Sequence, residues 1–222
     1  MIVIWLVLVV PAVARAQGSW LQKGVSGVSA EVTVSHDAGS STLGLTGGYS
    51  HQGFLDVGVT LAWIDANIPN IPDLSAYSLG AELVYHPLKQ TKTIPLSVEV
   101  ETSYTQDFFS SDTLSANGAS VSQWGTTLGA GAYRFFPLSE RIGVSPLIEF
   151  AWRHQSATLT LVDGSQTTTD DAFVIGLSAA LAYLDSAGHI WGVAPAVAFG
   201  PGDTPTGVGI TVIFIGTLSG AR

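Results

Sequence analysis

Apolar and polar side chains alternate with a period of two along most of this chain. The first segment with this pattern is residues 27–36, GVSAEVTVSH, whose two parities are Val28, Ala30, Val32, Val34 and Ser29, Glu31, Thr33, Ser35. Successive side chains of a β-strand point to opposite faces, so the pattern predicts a strand with one apolar and one polar face. A soluble sheet buries its apolar face, whereas a membrane barrel turns that face to lipid and lines its lumen with the polar face.

Nine further segments repeat the alternation, each near the ten residues with which a tilted strand crosses a membrane. They are residues 41–50, 54–64, 76–86, 95–105, 121–136, 143–154, 172–184, 190–199 and 207–216. Pro195 interrupts the ninth of these ten strands, which predicts a bulge or a later strand start and leaves eight strands as the alternative. We therefore predict an all-β fold, a closed antiparallel transmembrane β-barrel of about ten strands.

The connections between the predicted strands alternate in length. The even ones, residues 51–53, 87–94, 137–142 and 185–189, are mostly short, whereas the odd ones include the longer segments 65–75, 106–120, 155–171 and 200–206. Outer-membrane barrels have short periplasmic turns and longer outer loops. Both termini are therefore expected on the periplasmic side.

Aromatic side chains fall near both ends of the predicted strands and share the parity of the apolar residues. The expected outer rim is Trp63, Tyr77, Tyr104, Trp124, Trp152, Phe173 and Phe199, and the expected periplasmic rim is Tyr49, Tyr85, Phe136, Tyr183, Trp191 and Phe214. Tyr77 and Tyr85 are eight residues apart, which is roughly 21 Å of depth at 3.4 Å per residue and a 40° tilt. This placement predicts two aromatic girdles at the interfaces of a membrane. One irregularity is Tyr133–Phe136, where strict parity puts Arg134 on lipid, so snorkelling or a bulge is expected there.

The composition supports a membrane barrel. Hydrophobic residues make up 46% of the chain, charged residues only 11%, and the mean hydropathy is +0.38. The apolar residues are interleaved with Ser, Thr and 25 Gly instead of forming long runs, which suits a barrel and not a helical membrane protein. A net charge of −9 argues against a nucleic-acid partner. The absence of cysteine excludes disulfides and thiolate metal sites.

The N-terminus has the pattern of a secretory signal. An apolar stretch from Ile2 to Val10 is followed by Pro11 and by Ala14-Arg15-Ala16, which predicts cleavage before Gln17. A short uncleaved anchor is the alternative. The expected organisation is a signal peptide (1–16), a linker (17–26), the barrel (27–216) and a C-terminal tail (217–222).

The leader ending in ARA, the alternating strands and the aromatic rims together resemble the small up-and-down outer-membrane β-barrel proteins of Gram-negative bacteria. The resemblance implies export to the cell outer membrane, with outer-membrane lipid and the barrel-assembly machinery as partners. Such proteins commonly end in an aromatic residue that is recognised during assembly. Here Phe214 is followed by IGTLSGAR, which departs from that pattern.

The lumen parity carries most of the candidate chemistry, namely Glu31, Glu82, Glu99, Glu101, Glu149 and Arg153. Carboxylates inside a narrow barrel must be paired, hydrated or protonated. We expect them to form a polar plug with Ser and Thr, and a cation-preferring path is the alternative. His154 and Asp170-Asp171 flank one predicted outer loop, a weak indication of a catalytic site. No cofactor, metal or catalytic residue is predicted.

The sequence thus favours an integral outer-membrane barrel with a structural or surface-binding role and a largely plugged, porin-like lumen. Its surface ligand is not indicated by any motif. Three alternatives remain open: a narrow pore for ions or small solutes, a barrel-embedded protease or acyltransferase, and a soluble periplasmic β-barrel binder.

Overall fold

The computed structural model describes residues 20–37, 39–68, 71–200 and 207–218. The predicted signal peptide and the last four residues of the predicted tail lie outside these ranges. Among the described residues, no helix has the length and apolar character needed to cross a membrane.

Within the described residues the chain forms eleven strands and a short helix. The strands are β1 (Ser26–His36), β2 (Ser40–His51), β3 (Leu55–Ile68), β4 (Ile71–Leu88), β5 (Ser97–Ser110), β6 (Ser120–Tyr133), β7 (Phe136–Pro137), β8 (Ile142–Leu161), β9 (Gly164–Leu184), β10 (Ile190–Phe199) and β11 (Gly207–Leu218). The helix α1 (Asp112–Ala116) lies between β5 and β6. All strands but the two-residue β7 correspond to the ten predicted segments.

The ten long strands form a closed antiparallel barrel. Each pairs with its neighbours in chain order, β6 pairs with β8 past the short β7, and β1 pairs with β11 to close the cylinder. The prediction of ten strands is therefore confirmed, and the eight-strand alternative is wrong. We call the end with the even-numbered connections the turn end (residues 52–54, 89–96, 134–141 and 185–189) and the opposite end the loop end.

The predicted loops 65–75 and 155–171 are mostly strand. β3 ends only at Ile68 and β4 already begins at Ile71. β8 and β9 are joined by just two residues, 162–163. The prediction of long loops there is wrong because Thr and Ser are polar and yet fit well into strands: Thr158 and Thr167 face each other and bond through their hydroxyl groups at 3.1 Å. Two long hairpins therefore extend the loop end.

Neither predicted irregularity produces a bulge. β10 begins at Ile190, and its register against β9 is the same before and after Pro195, although the ladder is interrupted there. Pro195 still pairs with Ile210 of β11. At Tyr133–Phe136 the alternation continues, with Tyr133 buried and Arg134 exposed on the outer face. The Arg134 guanidinium lies 4.8 Å from the centre of the Phe136 ring, as expected for a snorkelling side chain.

Candidate functional site

The apolar parity of the strands faces outwards and the polar parity faces the lumen. Val59 and Leu61 are 56% and 59% exposed on the outside, whereas Glu99 is 2% exposed on the inside. Of the predicted lumen residues, those that are buried are Glu31, Glu99, Glu101, Glu149 and Arg153, and Glu82 is half-buried. The polar side chains are thus gathered along the barrel axis, as the alternation predicts.

Glycines on the neighbouring strands make room for three of these carboxylates. Glu82 lies directly opposite Gly58 in the β3–β4 ladder, and a Cβ on Gly58 would come within 2.7 Å of the Glu82 Oε1 atom. Glu101 likewise lies opposite Gly129 in the β5–β6 ladder, and a Cβ on Gly129 would come within 2.9 Å of the Glu101 Cγ atom. Each glutamate side chain therefore packs closely against a residue that has no side chain, as a narrow barrel requires.

Glu99 belongs to a longer alternation of acid and glycine around the barrel. It pairs with Gly131, Gly131 pairs with Glu149, and Glu149 pairs with Gly176 on β9. Carboxylates and glycines thus alternate from strand to strand along one row of paired residues. This alternation places a residue without a side chain next to each large polar side chain of the row.

A buried polar cluster lies inside the turn end. The His86 Nε2 atom is 2.9 Å from Asp56 Oδ2, and its Nδ1 atom is 3.2 Å from the Tyr133 hydroxyl and 3.7 Å from Glu99 Oε2. All four residues are at most 4% exposed. The roles of Asp56 and Tyr133 could not be predicted from the sequence pattern, because only the register of β3 to β6 brings these residues together.

Lys89, in the turn that follows β4, lies beside this cluster. Its Nζ atom is 5.8 Å from the centre of the Tyr133 ring. Burial lowers the pKa of Lys89 to about 8, although the nearby Asp56 and Glu99 carboxylates favour its charged form. Near neutral pH the side chain is therefore still mostly a cation.

An apolar cluster lies at the loop end of the barrel. Its buried members are Ile64, Ala66, Leu74, Ala76, Phe109, Leu114 and Val121. Leu114 comes from α1, whose first turn is capped by the Ser111 hydroxyl accepting a hydrogen bond from the Thr113 N–H. The sequence pattern did not reveal this cluster because most of its members fall in the predicted connections 65–75 and 106–120.

A second apolar cluster occupies the turn end. Its buried members are Leu21, Ala180, Ala194, Ile213 and Ile215, with Trp20, Val25 and Ile190 packed against it. β11 is apolar on both parities, so alternation could not separate Ile213 and Ile215 from the lipid-side residues. A cavity of about 90 Å³ is lined mostly by Thr, Ser and Gly residues and by Glu31 and Glu82.

The predicted rim aromatics lie on the outer face. Phe214 is half-buried, and the other twelve are exposed, namely Trp63, Tyr77, Tyr104, Trp124, Trp152, Phe173, Phe199, Tyr49, Tyr85, Phe136, Tyr183 and Trp191. Several are in contact: the ring centres of Trp63 and Tyr77 are 4.6 Å apart, and those of Trp191 and Phe214 are 4.7 Å apart. Their role as interface girdles remains a prediction.

His154 and Asp171 are hydrogen-bonded to each other on the outer wall. The His154 Nδ1 atom is 2.9 Å from Asp171 Oδ1, and the imidazole lies between the rings of Trp124 and Trp152. Asp170 has the opposite parity and so lies on the other face of the β8–β9 hairpin. A catalytic site at the barrel mouth would need the acid and the histidine to face the opening together, and this pair does not.

Charge is unevenly divided between the two ends. Five of the six Lys and Arg residues in the described ranges lie at the turn end, namely Lys23, Lys89, Lys92, Arg134 and Arg141. The sixth, Arg153, faces the lumen. The described acidic residues of the loop end are Asp37, Asp65, Asp107, Asp112, Asp163, Asp170 and Asp171. The loop end therefore carries a negative potential.

Comparison with known proteins locates the fold. No family model and no curated protein sequence matches the chain. Among solved structures, the β domain of the Bordetella autotransporter BrkA is similar at 11% identity and a TM-score of 0.55, over 86% of this chain and 98% of that one. The translocator domain of the autotransporter NalP from Neisseria meningitidis is similar at 10% identity and a TM-score of 0.50, over 87% and 88% of the two chains.

The Ail protein of Yersinia pestis also matches, with 12% identity and a TM-score of 0.44, over 89% of this chain and all of that one. Identities at this level establish a likeness of architecture only. The closed antiparallel barrel of this chain is therefore the fold of the outer-membrane β-barrel proteins.

Proposed function

We propose that this chain is an integral protein of the Gram-negative outer membrane, with a closed lumen and a structural or surface-binding role. The observation that carries the proposal is that the barrel exposes aliphatic side chains on its outer face and buries carboxylates inside. A soluble protein does the opposite. Soluble monomers rarely expose contiguous apolar patches beyond a few hundred Å². A hydrocarbon surrounding removes that cost, because the apolar side chains then never meet water.

The aromatic side chains support a defined position in the membrane. Tyr and Trp prefer the interface, where the ring is in an apolar layer and the polar atom reaches water. With the two aromatic rims as girdles, the aliphatic band between them meets outer-membrane lipid. The predicted leader then accounts for export, and the barrel-assembly machinery for insertion.

The two apolar clusters support a closed lumen over an open pore. Ile64 and Leu74 are fully buried at the loop end, and Ile213 and Ile215 are 1% exposed at the turn end. Small barrels are filled by their own side chains. A surface ligand at the loop end would be cationic or neutral, since the described part of that end has no Lys or Arg.

Fractionation of the membranes tests the proposal directly. The protein should remain with the outer membrane after carbonate extraction, dissolve only in detergent, and migrate faster on gels before boiling than after it, since a closed barrel resists denaturation by the detergent. Release without detergent would contradict it and favour the soluble periplasmic binder. In planar bilayers the purified protein should show no steady conductance.

A narrow cation-preferring pore is the second candidate, favoured by the excess of carboxylates in the lumen. It predicts discrete conductance steps that change when Glu99 or Glu149 is replaced by Gln. Leu138→Gln, on an exposed turn, is a matched control that should leave them unchanged.

A further inference from the structure

A wide cavity is open to solvent at the turn end of the barrel. It measures about 1240 Å³ and is lined by residues from the segment before β1 and from the turns 89–96 and 134–141. The buried residues His86, Ser97 and Tyr133 also line it, so the cavity reaches the polar cluster of the lumen. Pockets for small ligands typically measure about 300–1,000 Å³. The cavity is therefore large enough to hold a small organic molecule.

Hydrogen bonds between side chain and backbone join two walls of this cavity. The Gln90 amide nitrogen donates to the Phe135 carbonyl at 3.1 Å, and the Phe135 N–H donates to the Gln90 Oε1 atom at 2.8 Å. The Gln90 N–H also donates to the Ser97 hydroxyl at 2.8 Å. Trp20 packs edge-on against Phe135, with ring centres 5.6 Å apart. These contacts shape the cavity before a ligand enters, which lowers the entropic cost of binding.

The exposed residues that line the cavity, here called its rim, carry mainly positive charge. Lys23, Lys92 and Arg141 belong to the rim. Among the described lining residues, Glu140 is the only carboxylate. Asp185, the other described carboxylate of the turns, does not line the cavity and accepts hydrogen bonds from two N–H groups of its own turn. Three cations against one carboxylate give the rim a positive potential.

The charges deeper in the cavity have the opposite balance. Lys89 lines the cavity, and the neighbouring Asp56 and Glu99 carboxylates favour its charged form. His86 is bonded to Asp56 and lies 3.7 Å from Glu99. With a neutral imidazole this cluster has one carboxylate in excess. An anionic group is therefore favoured at the rim and disfavoured at the depth of the cavity.

Apolar side chains form much of the remaining lining. Trp20, Phe54, Ile94, Phe135 and Ile190 all line the cavity, and each of them is half-buried. Aromatic and aliphatic walls with a few polar groups are typical of sites for small molecules. These walls offer contact surface to the uncharged part of a ligand.

We propose that the turn-end cavity binds a small organic anion, with a carboxylate or phosphate group at the rim and an apolar part against the aromatic walls. The guanidinium of Arg141 is suited to either group because it can donate two parallel hydrogen bonds. This site goes beyond the function proposed above, which concerns the membrane and the loop end. The anionic group can belong to a free solute or to a lipid, and a competition experiment separates the two.

Calorimetric titration of the folded protein in phosphatidylcholine nanodiscs tests the site, with empty nanodiscs as the blank. The probe is naphthoate, an aromatic carboxylate, and the neutral naphthamide is the comparison of equal size. We expect naphthoate to bind roughly tenfold more tightly than naphthamide, and only naphthoate to weaken as salt is added, because salt screens exposed charges. Equal affinities, or no naphthoate binding beyond the blank, would overturn the proposal.

Neutralising the rim tests which residues hold the anion. Lys92→Gln combined with Arg141→Gln should weaken naphthoate binding roughly three- to tenfold and leave naphthamide unchanged. Arg134→Gln is the control, because Arg134 lies on the outer face of the same turn and does not line the cavity. Heat-modifiable gel mobility shows whether each variant is folded, and Lys23→Gln decides the outcome if the double variant is not. Binding that the rim variants leave unchanged, or that Arg134→Gln weakens equally, would contradict the assignment.

Competition against bound naphthoate identifies the source of the anion. The competitors are glycerol phosphate and the short-chain lipid dihexanoyl phosphatidylglycerol. Displacement by glycerol phosphate would support a free solute, and displacement by the lipid alone would support a lipid headgroup. Displacement by neither would overturn the proposed recognition of phosphate.

Discussion

Replacing Val59 by arginine distinguishes a barrel in lipid from a barrel in water. Val59 is 56% exposed on the outer face and lies between Gly47 and Ala81 in the adjacent strands. Ala81 is four residues from both Tyr77 and Tyr85, so Val59 lies roughly 10 Å from either aromatic rim at 3.4 Å per residue and a 40° tilt. It is therefore at the middle of the proposed apolar band.

An arginine at the bilayer midplane of a β-barrel costs about 2–4 kcal/mol, which is a factor of roughly 30 to 700 in the folding equilibrium. On a water-exposed surface the same change would stay within about 0.5 kcal/mol. The small neighbours give the new side chain room, so steric strain adds little. The penalty therefore reports the solvent around the barrel.

The matched control is Val162→Arg, at the tip of the β8–β9 hairpin, where the valine is 82% exposed. Equilibrium unfolding of both variants by guanidinium in phospholipid vesicles, followed by tryptophan fluorescence, gives the two free energies. We expect a large loss for Val59→Arg and almost none for Val162→Arg. Equal losses, or less than about 0.5 kcal/mol at Val59, would refute the reasoning.

Three further predictions concern the interior. Gly58→Ala places a methyl group 2.7 Å from the carboxylate opposite and should cost about 1–3 kcal/mol of folding free energy, while Gly47→Ala, with no atom within 4 Å, should cost much less in the same unfolding assay. Burial holds the pKa of Lys89 at about 8 instead of 10.5, so between these pH values the unfolded chain binds more protons at Lys89 than the folded chain does. The unfolding free energy should therefore rise as the pH increases from about 8 to 10.5, and Lys89→Met should remove this rise. A rise that persists in the variant would contradict this. Leu114→Ala should destabilise the loop end by about 2 kcal/mol, detectable as faster proteolysis there, whereas the exposed Leu138→Ala should behave as the natural protein does.

The alternation of side chains predicted the strands well because it reflects a physical division between two environments. In β1 each of Glu31, Thr33 and Ser35 is buried and each of Val32 and Val34 is exposed. The alternation also holds at Arg134, which lies on the outer face without the bulge that the sequence suggested as one possibility. Alternation is a local property, so the individual sequence segments were sufficient to reveal it.

The two apolar clusters could not be predicted in the same way. Ile213 and Ile215 lie on a strand that is apolar on both parities, and Leu21 lies in a segment with no alternation at all. Their packing depends on which elements meet at the turn end, and the contact of His86 with Asp56, thirty residues away, depends on the register of β3 against β4. Such partners follow from the three-dimensional register and not from the sequence pattern.

The central claim is that hydrocarbon surrounds the apolar face while the polar face is enclosed. Nitroxide labels placed one at a time along residues 57–62, in a chain with no natural cysteine, measure it directly through their accessibility to oxygen, which concentrates in lipid, and to a water-soluble nickel complex. We predict high oxygen and low nickel accessibility at Val59 and Leu61, and low accessibility to both at Thr60. High nickel accessibility at Val59 and Leu61 would contradict the account.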